Sequence, residues 1–136
     1  MESDESIKGL LATSKIVAMV GLSADEGKPS NVVARYLRSN GYRIIPVNPV
    51  QDSILGEKSY RSLGEIAERV DVVDIFMRSE RVLPLVEEAI RLKPKAIWLQ
   101  LGIRSDEGKA MAEGNGITFI MDRCMKQEHT RLFPQT

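Results

Sequence analysis

Five short apolar runs, separated by segments in which apolar residues recur at helical spacing, limit what this chain can fold into. The runs are residues 15–20, 42–47, 70–77, 95–101 and 117–122. Strands that are apolar along their whole length are buried on both faces, and parallel strands joined by helices produce that burial. The pattern therefore predicts a doubly wound α/β fold with right-handed crossovers between its strands.

The segments between the runs carry helix boundary signals. Ser3 precedes a short helix, Pro29 and Gly41 flank a second one, and Ser62 with Glu65 has the spacing of a capping box. The predicted helices are residues 7–13, 29–41, 62–70, 79–93, 105–116 and 123–133. Because no linker, repeat or low-complexity tract interrupts the alternation, we predict one domain, residues 1–136.

Composition narrows the class of protein. The 19 basic residues balance the 19 acidic ones, so neither nucleic acid nor an anionic membrane surface is expected as a partner. A single cysteine, Cys124, excludes an internal disulfide and suits a reducing compartment. The acidic N-terminus lacks the apolar segment of a signal peptide, and no run approaches the ~20 residues of a membrane span. We therefore expect a soluble cytosolic protein.

The loop after the first apolar run, "GLSADEGKPS", connects a predicted strand to a predicted helix. In a doubly wound sheet, ligands bind beyond the carboxyl ends of the strands, and such a loop commonly holds a phosphate. A P-loop is excluded, because Gly21 and Gly27 are one residue too far apart and Lys28 is followed by Pro29 rather than a hydroxyl residue. The sequence thus gives no support to a nucleotide triphosphatase.

The dinucleotide fingerprint G-x-G-x-x-G is also incomplete in this loop. Ser23 and Glu26 stand where that fingerprint needs glycine, and Asn48 stands where an acidic residue would bind the ribose of NAD. The backbone N–H groups after Gly21, together with the Ser23 hydroxyl, Lys28 and the helix start at Ser30, can still hold a diphosphate. We expect the acidic residues of the loop to point to solvent. A plain strand-to-helix turn is the alternative interpretation.

Several segments, taken together and in order, resemble a known family. They are "VGLS" and "KPS" in the first loop, then "GYRIIPVNPV", "ILGEKSYRSL", "VDVVDIFMR", "WLQLGI" and "MDRCMKQEH". Over nearly the whole chain they resemble the small single-domain CoA-binding proteins, which are related to the CoA-binding domain of the succinyl-CoA synthetase alpha subunit. The resemblance implies a Rossmann-like three-layer fold with five parallel strands, expected in the order 3-2-1-4-5. It also implies that the chain binds coenzyme A through its ADP-pantetheine.

The resemblance assigns roles to four loops. The first would hold the diphosphate, the second would border the adenosine, the third would pack on the adenine and ribose, and the fourth would line the path of the pantetheine. An arginine in the third loop can also pair with the 3′-phosphate of CoA. The candidate CoA-binding residues are Gly21, Leu22, Ser23, Lys28, Pro29 and Ser30 in the first loop, Asn48 and Pro49 in the second, Phe76, Met77 and Arg78 in the third, and Gln100, Leu101 and Gly102 in the fourth.

No catalytic constellation is visible in the sequence. The synthetase that the chain resembles uses a phosphohistidine from a separate domain, and no segment of the given sequence corresponds to that domain. His129, the one histidine, shares the predicted last helix with Cys124 and Glu128, but five residues separate Cys124 from His129 and place them on different faces. We expect a packed cysteine, an exposed histidine and no metal site. The chain is interpreted as a binding protein for CoA or an acyl-CoA; the alternative is an NAD(P)-dependent oxidoreductase with a degenerate phosphate loop.

Cys124 raises a separate hypothesis, because it follows the last predicted strand at the ligand-binding edge and CoA ends in a thiol. A mixed disulfide between the two thiols is conceivable under oxidising conditions, with Arg123 and Lys126 favouring a reactive thiolate. Against it, free cysteines are usually buried and inert. The expected strand order also places the cleft between the first and fourth strands, one strand away from the fifth.

Two further expectations concern residues outside these loops. Asp74 lies within an apolar strand, and because burial of a carboxylate is costly, we expect nearby backbone or a hydroxyl to hydrogen-bond it. Leu55, Tyr60 and Trp98 are candidates for a homodimer face, although a tryptophan within a strand is more simply explained as core. An unknown protein partner also stays open.

Overall fold

The computed structural model describes residues 2–134, and a parallel β-sheet between two layers of helices forms its centre. The sheet strands are β1 (Ile16–Val20), β2 (Arg43–Val47), β5 (Val72–Ile75), β6 (Ala96–Leu99) and β7 (Thr118–Ile120). Each coincides with one of the five apolar runs. The predicted α/β fold with a five-stranded parallel sheet is confirmed.

The helices cover both faces of this sheet. They are α1 (Asp4–Thr13), α2 (Pro29–Ser39), α3 (Val82–Arg91), α4 (Asp106–Gly114) and α5 (Met125–Leu132). Apolar residues of α1, α2 and α5 pack on one face, and those of α3 and α4 pack on the other. Trp98 of β6 is fully buried in the core between the sheet and helices α1, α2 and α5, so its alternative role on a dimer face is excluded.

The strands lie in the order β2-β1-β5-β6-β7. Tyr60 forms an isolated parallel bridge to Val47, the last residue of β2, on the edge of β2 that faces away from β1. Tyr60 thereby occupies the third position of the predicted 3-2-1-4-5 pattern. Since this segment covers the free edge of β2, the next strand, β5, pairs with the free edge of β1. The third apolar run of the sequence, which forms β5, therefore takes the place that the pattern gives to its fourth strand. The strand order reverses between β1 and β5.

The region between β2 and β5 differs most from the sequence-based prediction. A two-stranded antiparallel hairpin of β3 (Ser53–Ile54) and β4 (Glu57–Lys58), which was not predicted, turns through Leu55 and Gly56 at positive φ. The predicted helix over residues 62–70 is only a 3-10 turn, Leu63–Glu65. The capping box does not form, because Glu65 accepts a hydrogen bond from Arg61 N instead.

Within the described part of the chain, none of the helices is both long and apolar enough to cross a membrane.

Candidate functional site

A cavity of about 630 Å³ opens at the carboxyl edge of the sheet, beside the point where the strand order reverses. Its volume lies in the usual range for sites that take a small molecule or cofactor. Its wall comes from the loops after β1, β5 and β6, the start of α2, and the segment before α5. The lining residues are Gly21, Ser23, Lys28, Pro29, Ser30, Val33, Phe76, Met77, Arg78, Gln100, Leu101, Ile103 and Cys124.

The loop after β1 is held in one conformation by its own side chains. The Ser23 backbone N–H donates to Ser30 Oγ at 2.9 Å, and Asn31 Nδ2 donates to the Ser23 carbonyl at 2.8 Å. Both partners lie in the first turn of α2, so the loop is fixed to the helix start. The Ser23 hydroxyl oxygen accepts a hydrogen bond from Asp25 N. This hydroxyl, which the sequence analysis expected to bind a diphosphate, is therefore partly engaged within the loop.

Gly21 is the position where this loop must be glycine. Its φ is +82°, and a Cβ at this residue would lie 2.5 Å from the Phe76 carbonyl oxygen. The backbones of the first and third loops therefore approach more closely than any side chain permits. This approach forms the floor of the cavity between β1 and β5.

Positive charge and an unpaired backbone donor lie on the wall of the same cavity. Helix α2 starts after Lys28 without a side-chain cap, whereas Ser3 caps α1 and Ser105 caps α4. In the described part of the chain, the exposed Lys28 and Arg78 side chains form no ion pair or hydrogen bond. Pro29 has no N–H and Asn31 N donates to the Lys28 carbonyl, which leaves the Ser30 N–H as the first-turn donor without a described partner. A free N–H at a helix start, with two cations on the same cavity wall, is suited to bind a phosphate group.

The acidic residues of the first loop are exposed, as predicted, and neither lines the cavity. Asp25 and Glu26 are exposed, and Asp25 Oδ1 accepts from Gly27 N at 2.9 Å. That contact closes the tip of the loop and orients the Asp25 carboxylate locally. The acidic character of the loop therefore does not reach the cavity wall.

The structure brings most of the predicted site residues together on the cavity wall, but four lie elsewhere. Leu22 is fully buried in the core, and its carbonyl accepts from Asn48 Nδ2 at 3.0 Å, so Asn48 ties the first two loops together. Pro49 is exposed and its carbonyl accepts from Arg61. Gly102 lies in the turn after β6, at φ +81°, where its N–H donates to Asp122.

Three lining residues were not predicted as site residues. Val33 lies in α2, and Ile103 follows the predicted fourth loop. Cys124 follows β7, two strands from the point where the order reverses, yet it reaches the cavity. The chain turns back at Asp122, whose φ is +59°, and Arg123 packs on the end of β6, where its carbonyl accepts from Trp98 Nε1 at 2.8 Å.

Asp74 is fully buried, and the expectation of a backbone or hydroxyl partner for it is wrong. Its Oδ1 accepts from Gln100 Nε2 at 2.5 Å, while its Oδ2 has no partner in the described structure. Burial raises the pKa of Asp74 to about 7, although the Gln100 hydrogen bond acts in the opposite direction. A residue of the cavity wall is thus the single partner of a buried carboxyl group.

His129 is buried against aromatic rings, so the expected exposed histidine is wrong. Its Nδ1 lies 2.7 Å from Tyr36 Oη, and its ring stacks on Phe133. Burial lowers the pKa of His129, which favours a neutral packed ring. The described residues contain no cluster of three His, Cys, Asp or Glu side chains that could hold a metal ion.

Comparisons with known proteins place this cavity in context. Residues 15–130 match the family model of the CoA binding domain. The chain is 39% identical over 127 residues to the uncharacterized protein YneT of Bacillus subtilis, covering 93% of this chain and 94% of that one. The solved structure of cell-free ID.343 from Thermus thermophilus superposes with a TM-score of 0.92 at 36% identity, covering 97% of this chain and 100% of that one.

A larger relative carries the same domain as part of its length. Acetate–CoA ligase [ADP-forming] I of Archaeoglobus fulgidus is 30% identical in an alignment of 128 residues that covers 87% of this chain and 19% of the ligase. The family model covers the three loops, the start of α2 and the segment before α5 that form the cavity, as well as the core strands. By its sequence and by its fold, the chain therefore belongs to the CoA-binding domain family.

Proposed function

We propose that this protein binds coenzyme A, or an acyl-CoA, in the cavity at the carboxyl edge of its sheet. The observation that carries the proposal is the phosphate-binding character of that cavity's wall. Lys28, Arg78 and the uncapped start of α2 all line it, in a chain of the CoA-binding domain family. A CoA molecule carries a diphosphate and a 3′-phosphate at its nucleotide end, which matches this concentration of donors and cations.

The lining residues support an orientation for the ligand. The diphosphate lies against Ser30 and Lys28 at the helix start, and the adenosine packs on Phe76 and Met77, with Arg78 at the 3′-phosphate. The pantetheine arm extends along Gln100 and Leu101, and this direction carries its thiol end toward Cys124. The half-buried aromatic and thioether groups of the third loop provide the apolar surface that an adenine ring needs.

Binding without catalysis is part of the proposal. The histidine is engaged with Tyr36 and stacked on Phe133, outside the cavity wall. The ligase relatives are enzymes of which the domain forms a minor part, 19% in the Archaeoglobus fulgidus ligase, so their activity is not transferred to this chain. The alternative of an NAD(P)-dependent oxidoreductase has no support from the family match or from the named relatives. A cytosolic location stays a prediction.

Calorimetric titration with CoA and with NAD tests the proposal. Ligand that co-purifies is first removed by denaturation and refolding, and mass spectrometry of the released material identifies it. We expect CoA to bind in a ratio of one per chain and NAD to give no comparable heat. Tighter binding of NAD than of CoA, or no binding of CoA, would contradict the proposal.

A further inference from the structure

A buried polar pair lies directly beneath the cavity floor. Asp74 is fully buried, Gln100 is 5% exposed, and the Gln100 amide nitrogen approaches the Asp74 carboxyl oxygen to 2.5 Å. Gln100 also lines the cavity. The pair therefore connects an internal carboxyl group to the surface that a ligand would contact.

The sheet register fixes this arrangement. Asp74 of β5 is aligned with Met19 of β1 and Trp98 of β6, both fully buried on the same face. Two residues further along each strand, on that same face, come Gly21, Phe76 and Gln100, which all line the cavity. Asp74 thus occupies the layer immediately below the floor, between two apolar neighbours.

This position is costly for a carboxyl group. Burial raises the pKa of Asp74 to about 7, and its Oδ2 lacks a partner in the described residues. An unsatisfied buried polar atom destabilises the folded state, because it loses its hydrogen bonds to water without replacement. The residues on either side in the sheet show that an apolar side chain is accommodated in this layer. A structural role for Asp74 therefore does not explain why a carboxyl group is placed there.

The chemistry of the pair gives Asp74 a specific effect on Gln100. A carboxylate only accepts hydrogen bonds, so it fixes the Gln100 amide with its NH₂ group turned inward. The other end of the amide, Oε1, has no hydrogen-bond partner within residues 2–134 and is not among their fully buried unpartnered atoms. The cavity therefore receives an acceptor at this point, whereas an unconstrained glutamine would present either end.

We propose that Asp74 is a positioning residue that holds Gln100 Oε1 as an acceptor for the pantetheine arm of the ligand. The arm carries two amide N–H groups and a hydroxyl, and in the orientation proposed above the nucleotide end lies against Lys28, Ser30 and Arg78 instead. The pair thereby selects for the arm and contributes nothing to binding of the nucleotide. This inference rests on the proposed CoA-binding function.

The test compares two ligands on four proteins by calorimetry near pH 8, where Asp74 is ionised. The ligands are CoA and 3′-phospho-ADP, which is the nucleotide part of CoA without the arm. The proteins are the parent, Asp74→Asn, Gln100→Met and the double variant. Asp74→Asn frees the Gln100 amide to turn over, and Gln100→Met removes the acceptor at similar volume. Asp71→Asn, at the other buried aspartate of the same segment, serves as the matched control.

We expect each single variant to weaken CoA about fivefold to tenfold, the effect of losing one hydrogen bond, and to leave 3′-phospho-ADP unchanged. The double variant should be no weaker than Gln100→Met alone, because Asp74 acts only through Gln100. The Asp71→Asn control should alter neither affinity. Equal weakening of both ligands, or unchanged CoA affinity in folded Gln100→Met, would overturn the inference. A parent that binds neither ligand would instead refute the proposed function, and the inference would fall with it.

Discussion

Two buried aspartates, three residues apart, mark the difference between the two edges of the sheet. Asp71, at the amino edge, accepts from the backbone N–H groups of Lys15 at 2.8 Å and Ile16 at 3.0 Å, and pairs with Arg69. Burial alone would raise the pKa of Asp71, but these hydrogen bonds and nearby cations outweigh it, so the pKa is lowered. Asp74, toward the carboxyl edge, has Gln100 as its one described partner and a raised pKa.

Other polar groups show the same contrast between a paired amino edge and a less paired carboxyl edge. At the amino edge, the Asp71 carbonyl accepts from Lys95 N at 2.8 Å, and Lys95 Nζ donates to the Thr13 carbonyl at 2.8 Å. At the carboxyl edge, Lys28 and Arg78 make no ion pair within residues 2–134, and the start of α2 is uncapped. The polar groups of the amino edge are paired within the fold, whereas the Lys28 and Arg78 side chains of the carboxyl edge have no described partner.

Removal of the Asp71 side chain should have the largest effect on stability. Asp71→Ala leaves two partly buried N–H groups without an acceptor, so we expect the free energy of unfolding to fall by about 2–4 kcal/mol. Urea denaturation measures this change. CoA affinity should stay at the parent value under conditions where the variant is folded, because Asp71 lies at the edge opposite the cavity.

Asp52→Ala is the control for that measurement, since Asp52 is exposed and its side chain has no described partner. It should leave the unfolding free energy within the range of ordinary surface substitutions. An Asp71→Ala variant as stable as Asp52→Ala would remove the basis for treating the amino edge as the stabilising one.

Asp74→Asn should instead raise the free energy of unfolding relative to the parent, by an amount that depends on pH. The folded-state pKa of about 7 lies above the unfolded value of 3.8, so the folded parent binds more protons between these values and loses stability as pH rises through this window. Relative to the parent, the variant should gain about 2–3 kcal/mol in unfolding free energy between about pH 5 and pH 8. Taking the difference between the two proteins removes the contribution of His129, whose lowered pKa acts in the other direction. A difference that is constant with pH would show that Asp74 does not titrate in this range.

Lys28→Ala and Arg78→Ala should each weaken CoA by about 1–3 kcal/mol, the range for loss of a charge-assisted hydrogen bond. Added salt should weaken CoA binding in the parent and do so less in each variant. Arg91→Ala is the matched control, because Arg91 is an exposed cation in the last turn of α3. The phosphate assignment fails if Lys28→Ala and Arg78→Ala bind CoA as tightly as Arg91→Ala.

Much of the fold was predictable from periodicity, since each apolar run became a central strand. The region between β2 and β5 was not, because its structure depends on long-range pairing. Tyr60 bridges to Val47, and Ile66 and Val70 insert into the core without regular helix. The Ser62 and Glu65 spacing favoured a helix locally, but the contact from Arg61 N to Glu65 prevailed.

The candidate site was predictable where it follows strand ends and much less so where it depends on how the chain turns. Lys28 directly precedes a predicted helix, Arg78 directly follows a predicted strand, and Gln100 lies near the end of one; all three reach the cavity. The partner of Asp74 was missed because it comes from the neighbouring strand, 26 residues away. Cys124 reaches the cavity through a reversal at Asp122, a non-glycine residue at positive φ that no spacing rule indicates.

The most direct test of the account uses Cys124, the chain's single cysteine, as a reporter of where the ligand lies. The rate of Cys124 alkylation by iodoacetamide is followed by intact-mass spectrometry, with S-methyl-CoA as the ligand because it has no free thiol to consume the reagent. We predict that S-methyl-CoA slows alkylation in proportion to its occupancy, and that NAD at the same concentration does not. An unchanged alkylation rate in protein shown by calorimetry to be saturated with S-methyl-CoA would contradict the placement of CoA in this cavity.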